Sequence, residues 1–365
     1  MIEVSSLQKA VRLLLFLFLV IAGLIYAKPF LVPVVFAALL ALLFLPISHW
    51  MERKGIHRAL ASIICILILA AIVAAIVWLF AWQMSDLAKD ADKIEQNLTK
   101  KMKEFGQFIG KTFNISEQKQ QEILKKQQES TSGKLGSSIG RLLAGIGGFL
   151  AHFLLVLVYI FLFLYYRLHL KKFVLLLVKK DDQEATNEIM HSSGKVIQKY
   201  LTGLALMIVG LWIMYAIGFS IVGVKNAIFF AILCGLLEIV PFVGNLTGNL
   251  ITIIATLLQG GSMNMIVGIL ITYALVQFIQ TYLLEPLVVG AEVNINPFIT
   301  IAGIVVGELI WGIAGMIVAI PLLGITKIIF DHVASLKPYG YLLGEERKIK
   351  KRKSFRKKST HPVSQ

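Results

Sequence analysis

The amino-acid sequence predicts an all-α, polytopic bundle of transmembrane helices with about eight spans, one broken or re-entrant helix and one extracytoplasmic helical insert. Apolar residues form 57% of the chain and the mean hydropathy is +0.78, which is too hydrophobic for a soluble protein of 365 residues. The charged residues, 16% of the chain with a net charge of +15, are concentrated between long apolar runs. Loops of membrane proteins have this composition.

The apolar runs are long enough to cross a bilayer, because a hydrocarbon core about 30 Å thick requires about 20 helical residues. The candidate spans are 13–27, 30–47, 59–82, 142–166, 201–222, 227–258, 263–284 and 298–330. They divide the chain into a three-span segment (1–82), the insert (83–138), a five-span core (139–332) and a basic tail (333–365).

Lys and Arg are concentrated in alternate loops, which indicates the orientation of the chain. They cluster at 53–58, at 167–199 and in the tail, whereas the short loops on the opposite side contain only Lys28 and Lys225. Because basic loops remain in the cytoplasm, we predict a bacterial inner-membrane protein with both termini in the cytoplasm. The tail follows a span directly, so we expect it to attract anionic lipid and no nucleic acid.

The stretch 227–258 is too long for one straight span and contains Pro241 and Gly244. An odd number of crossings is needed here to return the tail to the cytoplasm. We therefore predict one crossing, broken near 238–249, followed by a shorter helix from about Leu246 that is either re-entrant or part of a kinked span. Broken backbone at membrane depth requires protein or a wet cavity around it, which makes this stretch a candidate site.

The insert carries an apolar stripe at helical spacing over residues 87–108. Two interpretations remain open. The stripe is either one face of an amphipathic helix that packs on a neighbour or on lipid headgroups, or a short coiled coil between protomers.

Glu238 is the first candidate for a transport path or for coupling. An ionisable residue inside a span costs about 2.5–3.5 kcal/mol on insertion scales and therefore needs a reason. Glu238 precedes Pro241 by three residues, and Asn245 and Asn249 follow, so carbonyls freed by the proline and two amides would surround a titratable group. The alternative is a carboxylate at the headgroup boundary that caps a helix or pairs with a lysine.

Further candidates lie in the last two predicted spans. Gln277 and Thr281 share a helix face, either as an interhelical hydrogen-bond seam or as part of the solute path. Glu308 is an acidic residue inside the last span, and Glu285 is expected to be exposed before Pro286. Four residues at i, i+4 spacing indicate close helix packing: Gly303, Gly307, Trp311 and Gly315.

The sequence contains no P-loop, no zincin motif and no recognisable Ser/His/Asp set. Its two cysteines, Cys65 and Cys234, lie in apolar runs, so neither a disulfide nor a metal site is indicated. We therefore expect no enzyme activity and no cofactor.

Several motifs resemble those of the autoinducer-2 exporter family of permeases. They are Glu238-Ile-Val-Pro241-Phe-Val-Gly244, Glu285-Pro-Leu-Val-Val-Gly290, Asn296-Pro297-Phe and Trp311-Gly-Ile-Ala-Gly315. The resemblance implies about eight spans, oligomeric assembly and transport, with quorum-signal export in some members and sodium or lithium exchange for protons in others. The chain departs from the family where Glu292 stands in place of a common cation.

The leading hypothesis is a proton- or ion-coupled permease that exports a small polar solute, with autoinducer-2 suggested by the resemblance. The first alternative is a sodium (lithium)/proton antiporter. The second is a non-transporting membrane scaffold with the insert as a partner-binding arm. The expected partners are the lipid bilayer, a small polar solute or monovalent cation, and further copies of the chain in a homo-oligomer.

Overall fold

A computed structural model describes residues 3–89, 97, 134–241, 243–289 and 295–345 of the chain. The helices are α1 (Glu3–Tyr26), α2 (Lys28–Arg53), α3 (Arg58–Lys89), α4 (Lys134–Leu176), α5 (Gln183–Val222), α6 (Ala227–Leu237), α7 (Val243–Leu258), α8 (Met263–Ile279, extended by a π-helix over Gln280–Val289), α9 (Pro297–Trp311), α10 (Ile313–His332) and α11 (Lys337–Leu343). Within the described ranges, seven helices are long and apolar enough to cross a membrane, whereas α6, α7 and α9 are shorter. The predicted polytopic helical bundle is confirmed.

Two sequence-based expectations fall on residues that are not described. The apolar stripe of the insert lies outside the described residues apart from its first positions and Asn97, and the basic tail lies outside them from residue 346 onward.

α2, α3 and α4 pack around small and branched apolar side chains. Ala37, Ala61, Cys65 and Ile160 are all fully buried in this cluster. At the end that carries the basic loops, which we call the basic end, Arg167 of α4 binds the Glu52 carboxylate of α2 with both guanidinium Nη atoms. This pair fixes the register of α2 against α4.

The stretch 227–258 forms two antiparallel helices rather than one crossing. α6 ends at Leu237 and α7 begins at Val243. A Cβ atom added to Gly248 in α7 would lie 3.0 Å from the Cα atom of Cys234 in α6. The glycine therefore allows the two backbones to lie in direct contact, and we call the pair the first hairpin.

Both outer ends of the first hairpin lie near the end of α3. The Phe229 ring of α6 contacts Phe80 of α3, and the Leu258 carbonyl at the end of α7 accepts a hydrogen bond of 3.0 Å from Asn97. The chain thus enters and leaves at the same end of the bundle. This arrangement differs from the prediction of one crossing followed by a shorter re-entrant or kinked helix, because α6 and α7 together reverse the chain within the bundle.

The predicted last span, 298–330, is also two helices. Gly312 separates them with a φ of +65°, a backbone conformation that residues with a Cβ rarely adopt. A Cβ atom added to Gly315 in α10 would lie 1.8 Å from the carbonyl oxygen of Gly307 in α9. α9 and α10 therefore pack backbone against backbone, and we call them the second hairpin.

The proposed single packing face in the last span is corrected accordingly. Gly303 and Gly307 lie on α9, whereas Gly315 faces Gly307 from the opposite helix. Trp311 is the last residue of α9, and its indole N–H donates to the Leu24 carbonyl of α1 at 2.9 Å. The turn at Gly312 thus lies beside the end of α1.

The two corrections compensate each other in the topology. The first hairpin contributes no net crossing instead of one, and the second hairpin contributes two passes instead of one. α1–α5, α8 and α10 are the seven described helices long enough to cross a membrane; if the shorter α9 also makes a pass, the total is eight, an even number that would leave both termini on the same side.

Cysteine labelling tests the first hairpin. In a chain whose buried Cys65 and Cys234 are replaced by Ser, we expect Lys225→Cys and Ser262→Cys to react with a membrane-impermeant maleimide from the same side of the membrane. Lys337→Cys, beyond α10, should react only from the other side. Labelling of positions 225 and 262 from opposite sides would show that the stretch between them crosses the bilayer.

Overpacking tests the second hairpin. We expect Gly315→Val to lower the free energy of unfolding in detergent by about 1–3 kcal/mol, the usual cost of overpacking, because the side chain cannot fit against Gly307. Gly23→Val in α1, where nothing lies within 4 Å of an added Cβ, is the matched control. Thermal unfolding followed by tryptophan fluorescence measures both, and equal unfolding temperatures would contradict the close contact.

Candidate functional site

The tip of the first hairpin carries a carboxylate into the bundle. Glu238 directly follows α6, and Pro241 lies in the turn before α7. The Val240 N–H donates to the Leu237 carbonyl at 2.9 Å, and the Gly244 N–H donates to the Val240 carbonyl at 3.1 Å. A Cβ atom at Gly244 would lie 1.7 Å from the Leu237 carbonyl oxygen. Only glycine allows the chain to reverse this tightly.

The π-helix after α8 provides the partner of Glu238. Pro286 lies in this helix, and a proline cannot donate a backbone hydrogen bond; π-helical turns are frequent at functional sites. Gln280, the first π-helical residue and 3% exposed, donates from Nε2 to the Glu238 carboxylate at 2.8 Å. This contact lies about 25 Å along the helix from Met263, at 1.5 Å per residue.

Gln280 also has an unused acceptor. Its side-chain oxygen, Oε1, is buried and has no hydrogen-bond partner among the described residues. A buried polar atom without a partner is costly. Because the oxygen is buried, the Gln280 side chain would have to shift before this acceptor could contact a solute or a cation.

A network of amides and hydroxyls connects the first hairpin to α5 and α8. Asn245 donates to the side-chain carbonyl of Gln277, and the Gln277 amide donates to the Thr281 hydroxyl at 3.2 Å. The Tyr215 hydroxyl donates to Asn245 Oδ1 at 3.3 Å and accepts from the Asn249 amide at 3.1 Å. Because such networks specify one arrangement of their members, this network holds the hairpin tip in position.

A cavity of ≈980 Å³ lies between the hairpin tip, α5, α8 and the second hairpin. This volume is at the upper end of the range of about 300–1,000 Å³ for small-molecule sites. Polar groups line the side of the cavity that the first hairpin and α8 form, and the opposite side of the cavity is mainly apolar. The lining residues are Tyr200, Leu204, Met207, Glu238, Ile239, Pro241, Asn245, Leu246, Tyr273, Gln277, Gln280, Glu285, Thr300, Ile304, Ile317 and Ile320.

The structure brings most of the sequence-predicted path residues together at this cavity. Glu238, Pro241, Asn245 and Gln277 line it, Asn249 and Thr281 belong to the amide network, and Gly244 forms the turn. In the described part of the chain, no group of three or more His, Cys, Asp or Glu residues could hold a metal ion.

Glu308 is separate from this site. It lies one turn beyond Ile304, the last α9 residue that lines the cavity, and its side chain is exposed beside the exposed Val305 and Leu309. The structure does not bring Glu308 to the cavity that Glu238 lines, and a role for Glu308 in the path stays a prediction.

Five polar lining residues are not among the sequence-predicted path residues: Tyr200, Tyr273, Gln280, Glu285 and Thr300. A signal existed for two of them, because Tyr273 and Gln280 share a helix face with Gln277. Glu285 has the expected exposed side chain but also lines the cavity. Tyr200 and Thr300 come from other helices, and only the packing of α5 and α9 against α8 reveals them.

Comparisons with known proteins identify the family. The chain matches the family of AI-2E family transporters over residues 14–335. "Putative transport protein YhhT" of Escherichia coli (strain K12) is 22% identical over 332 residues, which cover 91% of this chain and 93% of YhhT. Two further relatives are also called putative transport proteins. YrrI of Bacillus subtilis (strain 168) is 21% identical over 46% of this chain and 47% of YrrI. A protein of Borreliella burgdorferi is 25% identical over 41% of this chain and 39% of that protein. The chain thus aligns with less than half the length of these two relatives.

The family match covers α1 from residue 14 onward, α2–α10 and both hairpins that enclose the cavity. This multi-pass membrane protein therefore belongs to the AI-2E family of transporters.

Proposed function

We propose that the protein exports a small polar solute across the bacterial inner membrane, that autoinducer-2 is one such solute, and that a proton or ion gradient drives the movement. The observation that carries this proposal is the cavity of ≈980 Å³ with Glu238 at the hairpin tip. Membership of a family named for AI-2 transport supports the choice of solute.

The polar side of the cavity is suited to a solute with several hydroxyl groups. Asn245, Gln277 and Gln280 line it, and each amide both donates and accepts hydrogen bonds. The described lining includes the carboxylates Glu238 and Glu285 and no basic side chain. Such a lining favours a neutral or cationic solute over an anion, because an anion would be repelled by the carboxylates.

We assign the coupling proton to Glu238. An ionised carboxylate deep in a membrane protein is costly, and the Gln280 amide that binds it is neutral. Hydrogen bonds to a charged acceptor are stronger than those to a neutral one, so proton loss would tighten the contact between the hairpin tip and the π-helix. Protonation would weaken this contact and allow the tip to move.

The cavity is expected to load from the cytoplasm. Tyr200, in its lining, is close in sequence to Lys195 at the basic end of the bundle, and basic ends face the cytoplasm in inner-membrane proteins. In this orientation the hairpin tip separates the cavity from the extracytoplasmic side. Movement of the tip would then expose a bound solute to that side, as alternating access requires.

Replacement of the tip carboxylate tests the coupling. In proteoliposomes loaded with autoinducer-2 under an imposed pH gradient, we expect Glu238→Gln to abolish the increase of efflux that the gradient produces in the wild type, because a glutamine at the hairpin tip neither binds nor releases the coupling proton. The remaining efflux should no longer depend on the pH gradient. Glu308→Gln removes a carboxylate that does not line the cavity and should retain both rate and gradient dependence. Gradient-dependent efflux through Glu238→Gln would remove Glu238 from the coupling role.

A sodium (lithium)/proton antiporter is the second candidate function. It is favoured by the two carboxylates in the lining and by the unpartnered Oε1 of Gln280. Hard cations prefer oxygen ligands of this kind, and Glu238 could exchange a proton for the cation. In this function the same cavity would hold an ion and its water molecules.

A pH-sensitive dye in the vesicle lumen separates the two candidates. If the antiporter function holds, external sodium or lithium should change the luminal pH in wild-type vesicles, and Gln280→Leu should lower the apparent affinity for the cation at least about tenfold by removing a ligand oxygen. Leu246→Ala, which changes an apolar lining residue, is the control. Absence of any cation-dependent pH change would exclude the antiporter and leave the organic solute.

A further inference from the structure

A groove of ≈810 Å³ lies between α2 and α5 at the basic end, apart from the cavity described above. Leu42, Leu45 and Pro46 of α2 form its apolar floor, and Arg53 of α2 and Lys195 of α5 lie at its rim. Along about three turns of α2 the groove thus changes from hydrocarbon-like to cationic. A membrane has the same gradient of polarity from its acyl chains to its headgroups.

The rim carries positive charge that the groove itself does not neutralise. The lining includes the carboxylate of Glu52, but Arg167 binds that carboxylate at 2.8 Å and the Arg58 side chain lies 3.8 Å from it. Arg53 and Lys195 are exposed and form no ion pair with a carboxylate among the described residues. The rim is therefore complementary to a phosphate group.

Other residues fit the groove to the same kind of ligand. His49 and His191 add ring nitrogens to the rim, which can donate hydrogen bonds to phosphate oxygens. Gly194 of α5 faces the floor, where an added Cβ would meet only the Leu42 side chain, at 4.0 Å. The missing side chain at this position leaves the space between the two helices open to an acyl chain.

We propose that this groove binds an anionic phospholipid, with the headgroup phosphate at Arg53 and Lys195 and one acyl chain along the apolar floor. Basic pockets between transmembrane helices bind such headgroups in membrane proteins. The apolar floor selects a lipid over a soluble phosphate, because a soluble anion could use only the rim. Since α2 belongs to the N-terminal segment and α5 to the C-terminal core, the lipid would connect the two.

Native mass spectrometry of the full-length protein in detergent, titrated with phosphatidylglycerol, tests the site. We expect the wild type to retain phosphatidylglycerol in preference to phosphatidylcholine with the same acyl chains. The Arg53→Gln/Lys195→Gln variant should bind phosphatidylglycerol about thirtyfold more weakly, the effect of two cations near an anionic group. Lys171→Gln/Lys179→Gln removes the same charge from exposed sites outside the groove and should bind like the wild type.

A second variant tests the floor without changing the charge. Gly194→Met should fill the groove and weaken phosphatidylglycerol retention, whereas Gly147→Met, where nothing lies within 4 Å of an added Cβ, should not. The rim and floor variants are independent, so a folding failure of one leaves the other informative. Equal retention by the rim variant and its control would overturn the proposal. So would equal binding of the two lipids, or displacement of phosphatidylglycerol by an equal concentration of glycerol phosphate, which would indicate a site for soluble anions.

Discussion

Two chain reversals determine the C-terminal half of the protein, and the first of them leaves backbone N–H and C=O groups inside the bundle, where lipid cannot bind them. Irregular backbone at membrane depth is stable only when protein or a wet cavity surrounds it. At the first reversal, Val240 and Gly244 satisfy their N–H groups within the turn, while α5 and α8 cover it. The second reversal is covered by α1, whose Leu24 carbonyl binds the Trp311 indole. Two of the helices that enclose the cavity, α5 and α8, thus also cover the first reversal.

Close backbone contact holds each hairpin together. Apolar side chains gain little by leaving lipid for another apolar surface, so helices in a membrane associate mainly through packing. Gly248 lies against Cys234 in the first hairpin, and Gly307 lies against Gly315 in the second. Away from these contacts the second hairpin presents Ile304, Ile317 and Ile320 to the cavity. Glycines therefore allow the two helices of each hairpin to pack closely. Larger side chains keep the two hairpins apart and leave the cavity between them.

The sequence was sufficient for the helical class and for the hairpin-tip part of the candidate site, but not for the path of the chain. Hydropathy identifies apolar runs, yet it does not distinguish one long helix from two shorter antiparallel ones of the same total length. The reversal at Gly312 depends on a single positive φ and on contacts between residues on both sides of it. The site was more predictable, because Glu238, Pro241 and Asn245 are close in sequence. Tyr200 and Thr300 reach the cavity only through helix packing, which no local pattern indicates.

The surroundings of three carboxylates show why the hairpin tip is the element suited to coupling. Glu52 is bound by Arg167 on both oxygens, so protonation would break an ion pair and leave a half-buried guanidinium without its partner. Glu308 is exposed beyond the cavity, where a change of its charge would not alter the lining. Glu238 lies in the lining and accepts its hydrogen bond from the amide of Gln280. An amide can bind a carboxylate in either protonation state, because it both donates and accepts. Glu238 can therefore gain or lose its charge without leaving an oppositely charged partner unpaired. The strength of its contact with Gln280, which holds the hairpin tip, changes with that charge.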